Sequence, residues 1–113
     1  MKMFKFTTTD ATEEMVLRSQ AGQIYSKACK GEKLTRKEKN DVTRWMFNAT
    51  YKRENCVPVL GWFLDFSGVG LKKYLVKFEE GATWYEHTAF DKTAIRALYK
   101  GIRTIKRIIE LPE

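Results

Sequence analysis

The chain has little of what a metal centre, a disulfide framework or a membrane span requires. Of its 113 residues two are cysteine, one is histidine and two are proline. Cys29 and Cys56 do not form a C-x-x-C pair, and with His87 the lone imidazole no zinc site of the usual Cys/His spacing can form. We expect both cysteines to be reduced, buried thiols in a cytoplasmic protein. No apolar run approaches the ~18–20 residues of a membrane-spanning helix. The opening Met1-Lys2-Met3-Phe4-Lys5-Phe6 lacks the apolar stretch of a signal peptide.

Catalytic signatures are equally sparse. Neither G-x-x-x-x-G-K-S/T nor G-x-G-x-x-G occurs, and Gly68-Val69-Gly70 is a turn signal. A single histidine gives little support to a Ser/His/Asp or Cys/His nucleophile. Asp65, Glu79, Glu80, Glu86 and Asp91 could hold Mg²⁺ for phosphodiester cleavage, yet they form no D-x-D pair. Glu86 and His87 are neighbours on an expected strand, so they point to opposite faces. The expectation is a protein that is not an enzyme and uses no cofactor or metal, with a small metal-dependent nuclease as the third choice.

What is present fits one folded domain over residues 1–113. The apolar share is 43% and the aromatic share 13%, too rich for a disordered chain. Asp10-Ala11-Thr12-Glu13 resembles a capping box and opens a helix over about 11–29, stopped at Gly31. Thr35-Arg36-Lys37-Glu38 opens a second helix to about 49, with Val42, Trp45, Met46 and Ala49 on its apolar face. Val59–Phe66 reads as a strand and Lys73–Glu79 as an alternating one, with Tyr74, Val76 and Phe78 on one side. Thr83–Phe90 follows as a third strand after a Glu80-Gly81 turn. Asp91 caps a helix over Lys92–Lys100, ended by Gly101. Ile102–Leu111 reads as a last strand, although the spacing of Ile105, Ile108 and Ile109 also suits a helix. The fold class is therefore α+β: two N-terminal helices, then a mostly antiparallel sheet in β-β-β-α-β order.

The net charge is +7, and the excess is concentrated. Residues 27–53 carry nine basic side chains against three acidic ones; residues 92–107 carry six and no acid. Such clusters point to a polyanion partner. In the second cluster Lys92, Arg96 and Lys100 repeat every four residues along one helix face, a row able to follow phosphates, and Arg103, Lys106 and Arg107 extend it. In the first, Arg36, Lys37, Asn40 and Arg44 lie opposite the apolar face, where asparagine and arginine could read base edges. The plainer reading of both is a solvated basic face. A helix-turn-helix across Lys30–Leu34 fits poorly with a second half that reads as β. Trp62, Trp84, Tyr74 and Tyr85 offer rings for stacking bases, with core packing the commoner role. Tyr85 beside Lys77 and His87 is the best stacking patch in the sequence.

Two resemblances sharpen this reading. The segment Ala89-Phe90-Asp91-Lys92-Thr93-Ala94-Ile95-Arg96-Ala97-Leu98-Tyr99-Lys100 follows a β-hairpin and looks like the closing helix of a double-stranded-RNA-binding domain, whose lysines meet phosphates. It departs from that family in lacking the run of lysines and alanines and in being followed by a strand. In size and layout the whole chain is similar to small proteins of Gram-positive phages and mobile elements, among them anti-CRISPR proteins. That resemblance implies an inhibitor in a bacterial host cell, binding a CRISPR effector nuclease or its guide RNA. It carries no residue over. The expected function is thus a non-enzymatic basic binding protein acting on a nucleic-acid machine, or else a stand-alone DNA- or RNA-binding module.

Overall fold

The computed structural model describes residues 3–5, 11–48, 56–59 and 61–112. The Asp10 cap, Ala49, Lys52 and Arg53 lie outside the described residues. The class is α+β, with helices preceding most strands, but the strands form two antiparallel sheets instead of one.

The first sheet has the order β1-β3-β2, from β1 (Met3–Lys5), β3 (Trp62–Asp65) and β2 (Cys56–Val59). The expected single strand over Val59–Phe66 is instead the second arm of a hairpin. Gly61, at φ 93°, adopts a left-handed conformation that ordinary side chains resist, and it breaks the run. Pro58 is tolerated inside β2 because that strand is a sheet edge. Three-residue β1 was not anticipated at all.

The expected 11–29 helix is two helices, α1 (Glu13–Arg18) and α2 (Gln20–Cys29). Ser19 between them is extended, and its hydroxyl accepts from Gly22 N at 3.1 Å while donating to Val16 O at 2.6 Å. A Cβ on Gly22 would sit 2.0 Å from Val16 O, so only glycine permits this close turn. The start of α1 is capped by Thr12, which accepts from Met15 N at 3.3 Å. Val16, Ile24, Tyr25, Leu34, Val42, Val57, Leu64 and Phe66 form the first hydrophobic cluster. Tyr25 meets Phe66 edge-on with centroids 5.2 Å apart.

Helix α3 (Arg36–Asn48) begins at the expected capping box, and both reciprocal bonds form. Thr35 N donates to Glu38 Oε1 at 2.9 Å, and Glu38 N donates to Thr35 Oγ1 at 3.2 Å. Lys27 of α2 reaches the same carboxylate at 2.7 Å. Val42, Trp45 and Met46 turn toward the first cluster, as their spacing requires. The same helix also packs on the second half of the molecule, so it joins the two.

The second sheet has the order β5-β4-β6, from β4 (Lys72–Phe78), β5 (Trp84–Ala89) and β6 (Ile105–Glu110). Helix α4 (Lys92–Leu98) links β5 to β6, and Asp91 caps it, accepting from Ala94 N at 2.9 Å. Tyr74, Val76, Phe78, Ala89, Ala94, Ile95 and Ile108 form the second cluster. A full burial of this kind is worth about 1.5–3 kcal/mol for each large apolar side chain. Residues 102–111 contribute a strand, not a helix, though it starts only at Ile105. A bulge opposite Lys77/Phe78 inserts Lys106, which lets Ile105 and Ile108 both face the core. The helix-like spacing of those isoleucines arises from that extra residue.

Candidate nucleic-acid interface

The α3 cluster is largely neutralised by neighbouring carboxylates. Arg36 Nη1 lies 2.7 Å from Asp91 Oδ1, and Lys39 Nζ lies 3.9 Å from Asp91 Oδ2. Lys37 and Arg44 both reach Asp41, at 3.3 and 3.7 Å. The hydrogen bond from Arg36 holds the Asp91 carboxyl below its ordinary value and raises the guanidinium in return. Asn40 Oδ1 is buried with no hydrogen-bond partner among the described residues, so this oxygen does not face solvent. The Arg36–Asp91 pair sets the start of α3 against the start of α4, and the two helices pack together.

The second cluster differs. Lys92, Arg96, Lys100, Lys106 and Arg107 are all exposed, and none has a carboxylate partner among the described residues. The expected three-residue helical row is shorter than its spacing implied. Helix α4 ends at Leu98, so Lys92 and Arg96 share a helix face while Lys100 stands in the following turn before Gly101 at φ 76°. Arg103 is the exception in this segment: its guanidinium lies 3.8 Å from the centre of the Phe78 ring and its Nε 3.8 Å from Glu80. Arg107 pairs across the sheet with Lys77, on the face away from α4. The free cations of this segment therefore lie on both sides of the second sheet; Lys30 and Lys33, beyond the end of α2, are also exposed with no carboxylate partner among the described residues.

The aromatic residues divide three ways. Trp45 and Trp62 pack on the first cluster, and Trp62 Nε1 donates to Ala11 O at 2.9 Å. Trp84 lies on the outer face of the second sheet with Lys77 Nζ 5.7 Å from its centre. The expected grouping of Lys77 with Tyr85 fails, because alternation along β5 sends Trp84 and Tyr85 to opposite faces. Tyr85 does share its face with His87, and Tyr74 is buried in the second cluster.

On that inner face a chain of rings escaped the sequence reading. Phe47 stacks on His87 at 5.5 Å, Tyr99 meets His87 at 5.4 Å and Phe78 at 4.6 Å, and Phe78 meets Tyr85 at 5.6 Å. Burial holds the His87 imidazole below its ordinary value, and its Nε2 shares a 2.9 Å hydrogen bond with the Tyr99 hydroxyl. Phe47 stays 53% exposed and Tyr85 43% exposed, so the chain surfaces at both ends. One signal was available: Phe47 is an aromatic residue that falls off the apolar stripe of α3.

Among the described residues no group of three His, Cys, Asp or Glu side chains converges as a metal would need. No helix of the described residues is long and apolar enough to cross a membrane. Cys29 is half-buried and Cys56 buried. Comparison with protein-family models, curated proteins and solved structures finds no match to this chain.

Proposed function

We propose that this chain is a non-catalytic nucleic-acid-binding protein whose β4–β5–α4–β6 unit grips phosphates through Lys92, Arg96, Lys100, Lys106 and Arg107. The observation that carries this reading is the contrast in ion pairing. Every basic residue of α3 has an acidic neighbour, whereas these five have none among the described residues. A cation with no internal partner is available to an external one, and phosphate contacts release condensed counterions as they form. Helix α3 serves as the support: Arg36 and Lys39 hold Asp91, and Asp91 holds the first turn of α4. His87 supports a binding role over a catalytic one, since it is buried between Phe47 and Tyr99.

The test is a salt-titrated gel shift of the purified protein against duplex DNA, single-stranded RNA and a guide-RNA-loaded CRISPR nuclease. Binding to free nucleic acid that weakens steeply with salt supports the reading. Binding only to the loaded nuclease would replace it with the inhibitor suggested by the chain's size and layout. Turnover of any nucleic acid, lost with chelator or with His87→Ala, would replace it with a nuclease.

A further inference from the structure

We propose that the outer face of the second sheet is a stacking platform for unpaired bases, with Trp84 as its ring, so that the preferred ligand is single-stranded. This rests on the nucleic-acid reading above and goes further by naming the strand form. Three Cα partners run straight across the sheet: Trp84 on β5, Lys77 on β4 and Arg107 on β6. Directly opposed residues project to one face, and the strands stand about 4.8 Å apart, so a ring and two cations fall in one short row. The next row holds Glu86, Leu75 and Ile109, and the one after it Thr88 and Lys73.

Three features suit this face to single-stranded nucleic acid. The core of the unit, including Ala94 and Ile95 of α4, packs against the opposite face through Tyr74, Val76 and Phe78. Among the described residues no other ring lies against Trp84; its neighbour is the Lys77 ammonium, which a base can displace toward its own phosphate. The charge complements a phosphate chain, since Lys77 and Arg107 flank the ring and the register sets Lys73 on the same face, 3.8 Å from Glu86. A flexible strand also suits the placement of the other exposed cations of this unit. Lys92 and Arg96 lie on α4 and Arg107 on the far side of the sheet, with Lys106 bulged at the β6 edge between. A flexible strand can pass around that edge and meet all of them, whereas a stiff duplex meets one side at a time.

The experiment is fluorescence anisotropy with a labelled oligouridine and a duplex of equal length, for wild type, Trp84→Leu and Trp84→Phe, each first checked for folding by circular dichroism. Trp84→Leu should weaken oligouridine binding by about tenfold, and Trp84→Phe should recover most of the loss. Duplex binding should stay within about twofold of wild type for both variants. If wild type binds both forms and Trp84→Leu leaves oligouridine binding unchanged, or weakens both forms alike, the platform is wrong and the nucleic-acid reading stands. If wild type binds neither form, both fall. Wild-type binding to poly-glutamate in place of oligouridine, lost in Trp84→Leu, would assign the face to an acidic protein and overturn the proposal.

Discussion

Helix α3 and the segment 92–107 are both lysine- and arginine-rich, yet the fold surrounds them differently. In α3, Asp41 sits one turn from Lys37 and from Arg44, and Asp91 arrives from 55 residues away to meet Arg36. In 92–107 the chain supplies no acid of its own, and among the described residues the fold brings one only to Arg103. Density of charge along a sequence is thus a poor guide to available charge. The quantity that matters for binding is what remains after pairing, and it is large only in the second region.

The comparison can be broken most forcefully at α4. Lys92→Glu with Arg96→Glu should weaken nucleic-acid binding by more than about tenfold at low salt, regardless of sequence, as measured by gel shift. A next, smaller effect concerns the residue that links the two regions. Asp91→Ala removes the α4 cap and the partner of Arg36 and Lys39, and should cost about 1–2 kcal/mol in chemical denaturation. Asp91 and Glu38 are both held low by hydrogen bonds from Arg36 and Lys27 respectively. Their contributions are therefore complete above the ordinary carboxylate range and disappear as pH falls through and below about 4, which an acid unfolding titration should show.

His87 sharpens the picture of the inner face. Burial lowers its affinity for protons, so the unfolded chain binds a proton that the folded chain refuses. Stability should rise with pH up to about 6.5 and level off above it, and His87→Gln should flatten that slope in denaturation curves taken from pH 5 to about 7.5. The smallest expected effect belongs to α3. Lys37→Gln with Arg44→Gln removes two exposed pairs and should change binding by less than about twofold.

Much of the fold was legible because local rules coincide with tertiary ones. The Thr35/Glu38 box, the Asp91 cap and the alternation of Tyr74, Val76 and Phe78 each express a bond or a face that the neighbouring residues alone determine. The failures have local causes of another kind. Gly61 turns a continuous apolar run into a hairpin, and Ser19 with Gly22 divides one amphipathic stretch into two helices. None of these residues alters the hydrophobic pattern. The bulge at Lys106 disguised a strand as a helix-like repeat.

The site was less legible for a different reason. The two basic clusters were visible, but their pairing depends on contacts such as Arg36–Asp91 that no spacing encodes. The ring chain from Phe47 to Tyr85 likewise assembles residues from α3, β4, β5 and the turn after α4. Strand parity separates Trp84, Glu86 and Thr88 from Tyr85, His87 and Ala89 in the sequence, as the structure does, but only the β4–β5 register assigns Lys77 to the tryptophan.

The central claim is that free cations, not total cations, define the binding surface. Its most direct test is the slope of log K against log salt on duplex DNA for two neutralised variants beside wild type. Arg96→Gln with Lys100→Gln should reduce the slope's magnitude by about 1.8, and Lys37→Gln with Arg44→Gln should leave it unchanged. Equal reductions from both pairs, or a larger one from α3, would contradict the account.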